Sequence, residues 1–276
     1  MSVGVLAHLF GSLPYRALAA KVGEYGFKHV QLALWKGISD IDFSQAGKLS
    51  PGQAMAIGEE FYKHGSSISV LGCYLHMFDR DPQVRRGNVA RFKELLRYAR
   101  FFGAPMVAFE TGRNPDNSYT EQDWTTMRDV LTELAEEAER WGVFVGLEAA
   151  NDHLVGTARQ LHRMLEEVPS TNIGVVLDPG NLLHNENFDN QDAVIEEAFS
   201  LLGNRIIAAH AKDRMRGEDG QVVTVPAGFG QMNYALYMKL LEQYKPGVQI
   251  VMEEAGPHQM ATCKAFIERI RQENQN

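Results

Sequence analysis

Cysteine is scarce in this chain: 276 residues hold two, Cys73 and Cys263. Two thiols so far apart make neither a disulfide framework nor a zinc-finger spacing, so reduced side chains in a cytoplasmic protein are the simplest expectation. No apolar run approaches the roughly 20 residues needed to span a bilayer, and no membrane partner is expected. The opening MSVGVLAHLFGSLPYR has no basic leader before its apolar stretch, so it does not read as a signal peptide. Basic residues are outnumbered, 27 Lys and Arg against 35 Asp and Glu, which leaves a net charge of −8 with neutral histidine. That balance argues against nucleic acid as a partner. No proline- or serine-rich linker divides the chain, so one domain over residues 1–276 is expected. Single α/β barrels of about 250 residues are common.

What the chain does have is one sentence repeated about eight times. A short apolar run is followed by a polar or glycine loop and then by a helical stretch. The runs lie near Val3–Ala7, His29–Ala33, Ile68–Leu71, Met106–Phe109, Phe144–Leu147, Ile173–Leu177, Ile206–Ala209 and Val248–Met252. Such short, nearly continuous apolar runs suit parallel strands covered on both faces. Helices are expected near 15–25, 51–64, 85–102, 120–141, 157–168, 192–202, 233–244 and 260–272. Several open on proline or end on glycine, as Pro14 and Gly26 do around the first. Eight β/α units favour a closed (β/α)8 TIM barrel. The rival open sheet usually carries G-x-G-x-x-G after its first strand, and His8-Leu9-Phe10-Gly11-Ser12 is not that motif. Asp213–Gly230 reads as the longest loop, the kind that is often functional.

Reacting groups in a parallel barrel collect at the C-terminal ends of the strands. The last four strands end in GLEAAND, VVLDPGN, AAHAKD and IVMEEAG, and so offer Glu148, Asp178, His210 and either Glu253 or Glu254. If Ile250 and Met252 pack outward, the two-residue period of a strand turns Glu253 inward. Each residue alone suits a helix cap or an ion pair. Four successive strand ends with three carboxylates and an imidazole are most economically explained by one shared divalent cation. Oxygen and nitrogen donors without thiolate favour manganese, magnesium or cobalt, with zinc as a further candidate. His8 and Glu110 end strands one and four and can line the same pocket. Lys212 suits either a substrate oxygen or a salt bridge. Trp35, His76 and Phe229 are candidates for an apolar wall. Trp124, Met127 and Leu131 form a packing stripe, and Glu133, Glu136, Glu137 and Glu139 a solvated helix face.

These strand endings, in this order, resemble the xylose-isomerase-like barrel superfamily and, within it, the sugar phosphate isomerase/epimerase group. The likeness covers nearly the whole chain. VGVLAHLF, VPAGFGQMNY and the motifs above carry it, and GFKHVQL is similar to the group's G-F-x-x-V-E-L second strand. The resemblance implies one divalent metal, manganese first, held at Glu148, Asp178, His210 and Glu253. In the group's ketose 3-epimerases two metal-bound glutamates are also acid and base, which match Glu148 and Glu253 here. An arginine six residues beyond the histidine, matching Arg216, contacts substrate oxygens. Two positions depart from the pattern: Leu154 replaces a glutamate and Asn181 replaces a histidine, both at the reacting end of the sugar.

The implied reaction is proton abstraction beside a carbonyl of a sugar or related polyol-ketone, through a metal-stabilised enediolate. Return of the proton to the opposite face gives an epimerase, and return to the neighbouring carbon an isomerase. An inositol-type ketone dehydratase, or a non-catalytic barrel that binds metal or sugar, remains an alternative. The abasic-site endonucleases that share this barrel use extra histidines, and VVTVPA before Gly228 supplies none. The expected partner is a small carbohydrate, and self-association into a homo-oligomer is left open.

Overall fold

Apolar runs three to six residues long build the barrel wall in a computed structural model that describes residues 3–274. In chain order the strands are β1 (Val3–Leu6), β2 (His29–Leu32), β3 (Ser67–Gly72), β4 (Met106–Glu110), β5 (Phe144–Glu148), β6 (Ile173–Leu177), β7 (Ile206–Ala211), β8 (Asp213–Arg216), β9 (Val222–Val225) and β10 (Ile250–Met252). All but β8 and β9 close into one parallel ring, β1-β10-β7-β6-β5-β4-β3-β2. This is the (β/α)8 barrel expected from the repeat. The outermost residues of the one-domain assignment, 1–2 and 275–276, lie outside the described residues.

The helices are α1 (Tyr15–Glu24), α2 (Leu34–Gly37), α3 (Pro51–Lys63), α4 (Pro82–Tyr98), α5 (Glu121–Trp141), α6 (Ala158–Glu167), α7 (Pro179–Leu182), α8 (Gln191–Leu202), α9 (Tyr234–Tyr244) and α10 (Met260–Glu273). Among the described residues no helix is long and apolar enough to cross a membrane. The strand residues that point outward, such as Val107, Phe109, Leu147, Val175 and Ile250, join the helices in one large core. A smaller cluster of Val70, Met106, Ala108, Val176 and Ala208 fills the barrel interior. Successive strand residues alternate between the two.

Several boundaries differ from the sequence reading for physical reasons. Helix α4 starts at Pro82 because Asp81 caps it, accepting from the Gln83 amide at 2.7 Å. It tightens to a 3-10 turn over Ala99–Phe102. Strand β10 is shorter than expected because Val248 is held in a turn, its amide 3.1 Å from the Lys245 carbonyl. The stretch read as the longest loop contains an antiparallel hairpin, with Asp213 opposite Val225 and Arg216 opposite Val222. DRMR carries no apolar run, which hid β8 from pattern reading. On α5, Trp124, Met127 and Leu131 are buried. Glu137 is buried too, accepting from the Trp141 indole at 2.7 Å, so it does not belong to the solvated face.

The start of α5 is tied to the β3–α4 loop by one carboxylate. Asp123 Oδ2 accepts from the Thr120 amide at 2.9 Å in a capping box, while Arg80 Nη2 donates to it at 2.8 Å. The Arg80 hydrogen bonds, against the cost of burial and with help from Thr120, hold the Asp123 pKa down from 3.8 to about 2. A depressed carboxylate contributes stability above its unfolded pKa and loses it as pH falls through the folded value. Arg80 is half-exposed, so solvent screens the pair. Asp123→Asn should therefore cost about 1–2 kcal/mol at neutral pH. The gap should close as pH falls from 3.8 towards about 2. Urea unfolding of both proteins across that window checks it.

Candidate metal centre and active site

The interior face of each strand runs on through its C-terminal end into the barrel mouth. Counting in steps of two, Gly146 leads to Glu148, Val176 to Asp178, Ala208 to His210 and Lys212, and Val251 to Glu253. These are four neighbouring strands, β5-β6-β7-β10, so their side chains form a continuous arc. The facing arc, β4-β3-β2-β1, presents Glu110, Tyr74, Gln31 and His8 by the same count.

On the first arc, one ligand atom each of Glu148, Asp178 and His210 lies within 4.8 Å of the others, and all three residues are buried. His210 Nδ1 is 3.2 Å from Glu148 Oε1 and 2.9 Å from Glu253 Oε1. Lys212 Nζ bridges Asp178 Oδ2 at 2.7 Å and Glu253 Oε2 at 2.9 Å. Its stem passes over Gly180, where an added Cβ would lie 2.9 Å from the lysine Cγ; any larger residue would push Lys212 out. Asp178 caps α7, accepting from the Asn181 amide at 3.3 Å. Asn181 Nδ2 in turn donates to Glu148 Oε1 at 2.7 Å and to Glu110 Oε1 at 3.4 Å. Glu110 and Glu148 are register partners on adjacent strands. Glu254 is exposed, with a left-handed φ of 61° that turns the chain out of the site after Glu253.

Electrostatically the mouth is short of positive charge. Four carboxylates face it, Glu110, Glu148, Asp178 and Glu253, with Lys212 and His210 set among them. Burial pushes Glu148 up to about 7 even with His210 beside it. Burial and the Glu253 charge raise Glu110 as well. Burial acts the same way on Glu253, yet Lys212 and His210 together hold that carboxyl well below the usual range. The imidazole of His210 is the mirror case: burial opposes its charge, and Glu148 and Glu253 raise its pKa well above 6.5. One nitrogen facing two carboxylate oxygens, in a buried cluster with excess acid, is a donor set that fits a divalent cation. Lys212 occupies Oδ2 of Asp178 and Oε2 of Glu253. Glu253 Oε1, Glu148 Oε1 and His210 Nδ1 remain turned towards one another.

Other site candidates are placed as follows. His8 is partly buried, and its Nδ1 has no hydrogen-bond partner. Burial and Lys36 lower its pKa while Glu253 acts to raise it. Arg216 is not brought to the cluster. It pairs with Asp189 at 3.0 Å and donates to the Gly220 carbonyl at 2.8 Å, tied down along the hairpin. Arg214, two residues nearer the mouth, is within electrostatic reach of Asp178, and its Nε is buried without a partner. Leu154 is buried, its amide donating to the Gly112 carbonyl at 3.2 Å. Trp35 stacks under Arg91 at 4.6 Å and His76 packs edge-on against Phe78, whereas Phe229 is 46% exposed.

Pattern reading passed over several groups that shape this site. Gln31 Oε1 lies 2.9 Å from His210 Nε2. Tyr237 and Tyr234 donate their hydroxyls to the carbonyls of His210 and Lys212, at 2.9 and 2.7 Å, and so complete the end of β7. Asp213 receives four backbone amides, from Arg214 and Met232 on Oδ1 and from Gly228 and Gly230 on Oδ2, at 2.8 to 3.1 Å. Burial still leaves its pKa raised. Gly230 is required there, since a Cβ would sit 2.4 Å from Asp213 Oδ1. The GLEAAN and AAHAKD patterns marked strand ends, but nothing in one dimension marks a residue three strands away around the ring.

Comparison with known proteins matches residues 19–272 to a family described as the xylose isomerase-like TIM barrel. A probable L-ribulose-5-phosphate 3-epimerase of Mycoplasma pneumoniae is 28% identical over 148 residues, 54% of this chain and 45% of that one. The match thus spans about half the length of that curated relative. The solved structure of a D-tagatose 3-epimerase-like protein superposes with a TM-score of 0.80 at 20% identity, covering 100% of this chain and 98% of its own. A xylose isomerase-like TIM barrel protein of Mycobacterium smegmatis, in complex with magnesium, superposes with a TM-score of 0.76 at 17% identity, covering 98% and 95%.

Asp213→Ala should remove the acceptor of four backbone amides at the hairpin base, of which that of Met232 is buried. Its expected cost is about 1–3 kcal/mol, the penalty for the one buried donor left unpaired. Hydrogen exchange should accelerate first at Gly228, Gly230 and Met232. Unchanged protection there, with the same unfolding midpoint, would show that the loop is held by other contacts.

Proposed function

The chain belongs to the xylose isomerase-like TIM barrel family, and on that premise we propose that it is a divalent-metal-dependent isomerase or epimerase of a small sugar or related polyol-ketone. The observation that carries the reading is the buried cluster of Glu148, Asp178 and His210 with Glu253 2.9 Å from the same histidine nitrogen. These four residues would hold the ion, manganese first among the candidates. Epimerase relatives and neighbours support the reaction class.

When bound, the cation would polarise a substrate carbonyl and stabilise the negative charge that develops on its oxygen. The protein's own groups do the rest. Glu148 and Glu253 stand at the two ends of the four-strand arc, so a sugar lying across it is flanked by carboxylates on either side. One takes the proton from the carbon beside the carbonyl, and the other returns it. Their positions are fixed by different partners. Asn181 holds Oε1 of Glu148, and Lys212 holds Oε2 of Glu253. Lys212 also neutralises part of the excess acid, so that the carboxylates can sit close together without scattering. On the facing arc, His8 and Glu110 line the far side of the space and are assigned to substrate hydroxyls. Arg216 is kept as a candidate contact to a substrate oxygen, with Arg214, whose buried Nε has no partner, as a second. The free, buried thiols Cys73 and Cys263 support a reducing compartment such as the cytoplasm.

The test is a panel of free and phosphorylated ketoses and aldoses, offered with Mn2+, Mg2+ or Co2+ after chelator treatment. Reaction in D2O should place deuterium on the carbon that inverts or on its neighbour. Glu148→Gln and Glu253→Gln should each lower turnover by at least about 10²-fold, the lower end of what general acid–base catalysis provides. Near-native turnover by both variants would sink the assigned roles. Carbohydrate binding without deuterium exchange would point to a sensor instead.

A further inference from the structure

His210 turns its two ring nitrogens towards opposite surroundings. Nδ1 faces the carboxylate cluster, and Nε2 lies 2.9 Å from Oε1 of Gln31, across the barrel on β2. Both residues are 1% exposed, so water does not compete for the contact. The other end of the Gln31 amide donates to the Tyr74 hydroxyl. The Tyr74 ring in turn carries Lys36 Nζ 4.2 Å from its centroid. A chain of polar contacts therefore runs from the rim through the barrel interior to the back of the histidine.

That chain has a chemical consequence. With the amide oxygen towards His210, Nε2 keeps its proton, so a ring that gives up the Nδ1 proton to bind a cation is left with its lone pair on Nδ1, where the carboxylates converge. The reverse orientation of the amide would ask for a proton on Nδ1, which a metal ligand cannot carry. We infer that Gln31, with its far end anchored by Tyr74, is a positioning residue that sets the tautomer and angle of His210 for a divalent cation. The inference rests on the metal centre proposed above. Gln31 touches neither the ion nor substrate; it acts through the histidine. The group's second-strand pattern has glutamate at this position. A glutamine supplies the same acceptor without adding a further buried negative charge to a mouth that already holds four carboxylates.

Cobalt titration of chelator-treated protein, followed by visible absorption, tests this without any substrate. Gln31→Leu removes the acceptor at similar volume and should weaken Co2+ binding about 10–100-fold, the usual effect of losing the group behind a metal-binding histidine. Tyr74→Phe should shift affinity in the same direction by a smaller amount. Gln31→Glu should bind Co2+ at least as tightly as the native chain, because a carboxylate also accepts from Nε2 and makes the ring a stronger donor. A purely structural role would instead lower the unfolding midpoint of the metal-free variants and leave Co2+ affinity per folded chain unchanged. Affinity of Gln31→Leu within about twofold of native, well outside the expected range, would overturn the inference, as would a Gln31→Glu variant as weak as the leucine one. If Gln31→Leu does not fold, Tyr74→Phe decides: weaker binding supports the relay and native affinity overturns it. A native chain that takes up no Co2+ overturns the metal centre itself, and this inference with it. Normal uptake by both native and Gln31→Leu chains overturns only the role of Gln31.

Discussion

Too much negative charge in too little water is the constraint that organises this protein. Glu148, Asp178 and Glu253 are each less than a tenth exposed, and Glu110 lies beside them. Isolated ionised carboxylates in such a place are strongly disfavoured. Lys212 and His210 offset part of the charge through contacts of 2.7 to 3.2 Å. Burial still pushes Glu148 up to about 7 despite the histidine beside it. A chain that only needed a stable barrel would place apolar residues here, as it does one step deeper at Ala108, Val176 and Ala208. The change from dry interior to concentrated acid within one inward step on each strand marks the level at which stability gives way to chemistry.

The architecture divides the labour between two halves of the ring. The arc β5-β6-β7-β10 carries the candidate ligands. The arc β4-β3-β2-β1 faces it with Glu110, Tyr74, Gln31 and His8, longer side chains that support or enclose the centre. Outside the ring, α9 closes the back of β7 through two tyrosine hydroxyls. Asp213 pins the hairpin and the 226–233 loop at the mouth end of the same strand. The segment from His210 to Asp213 thus joins the centre, the scaffold and the rim in four consecutive residues.

Much of this was legible in one dimension because barrel geometry converts sequence order into spatial order. The eight apolar runs, their spacing and the polar residue that ends each one follow directly from a two-residue strand period. That period also separated Glu253 from Glu254, and the structure buries the first and exposes the second. The reading was weaker wherever order along the chain stops predicting distance. Nothing in DRMR announced that β8 pairs with β9, or that Arg216 there meets the exposed Asp189 and the hairpin backbone. Glu137 sits among solvated glutamates in sequence, yet its helical phase and the Trp141 indole bury it.

By itself, then, the amino-acid sequence determined the parallel barrel, the strand ends that carry acid and imidazole, and the sign of the charge gathered there. These depend on local periodicity and on residue type, which any window of a few residues records. Only the tertiary structure decided which partners each group keeps: Lys212 between Asp178 and Glu253, Asn181 on Glu148, Gln31 behind His210. Those pairings join strands separated by as many as 179 positions along the chain, and they follow from closure of the ring and the rotamers that fit inside it. No local pattern carries that information.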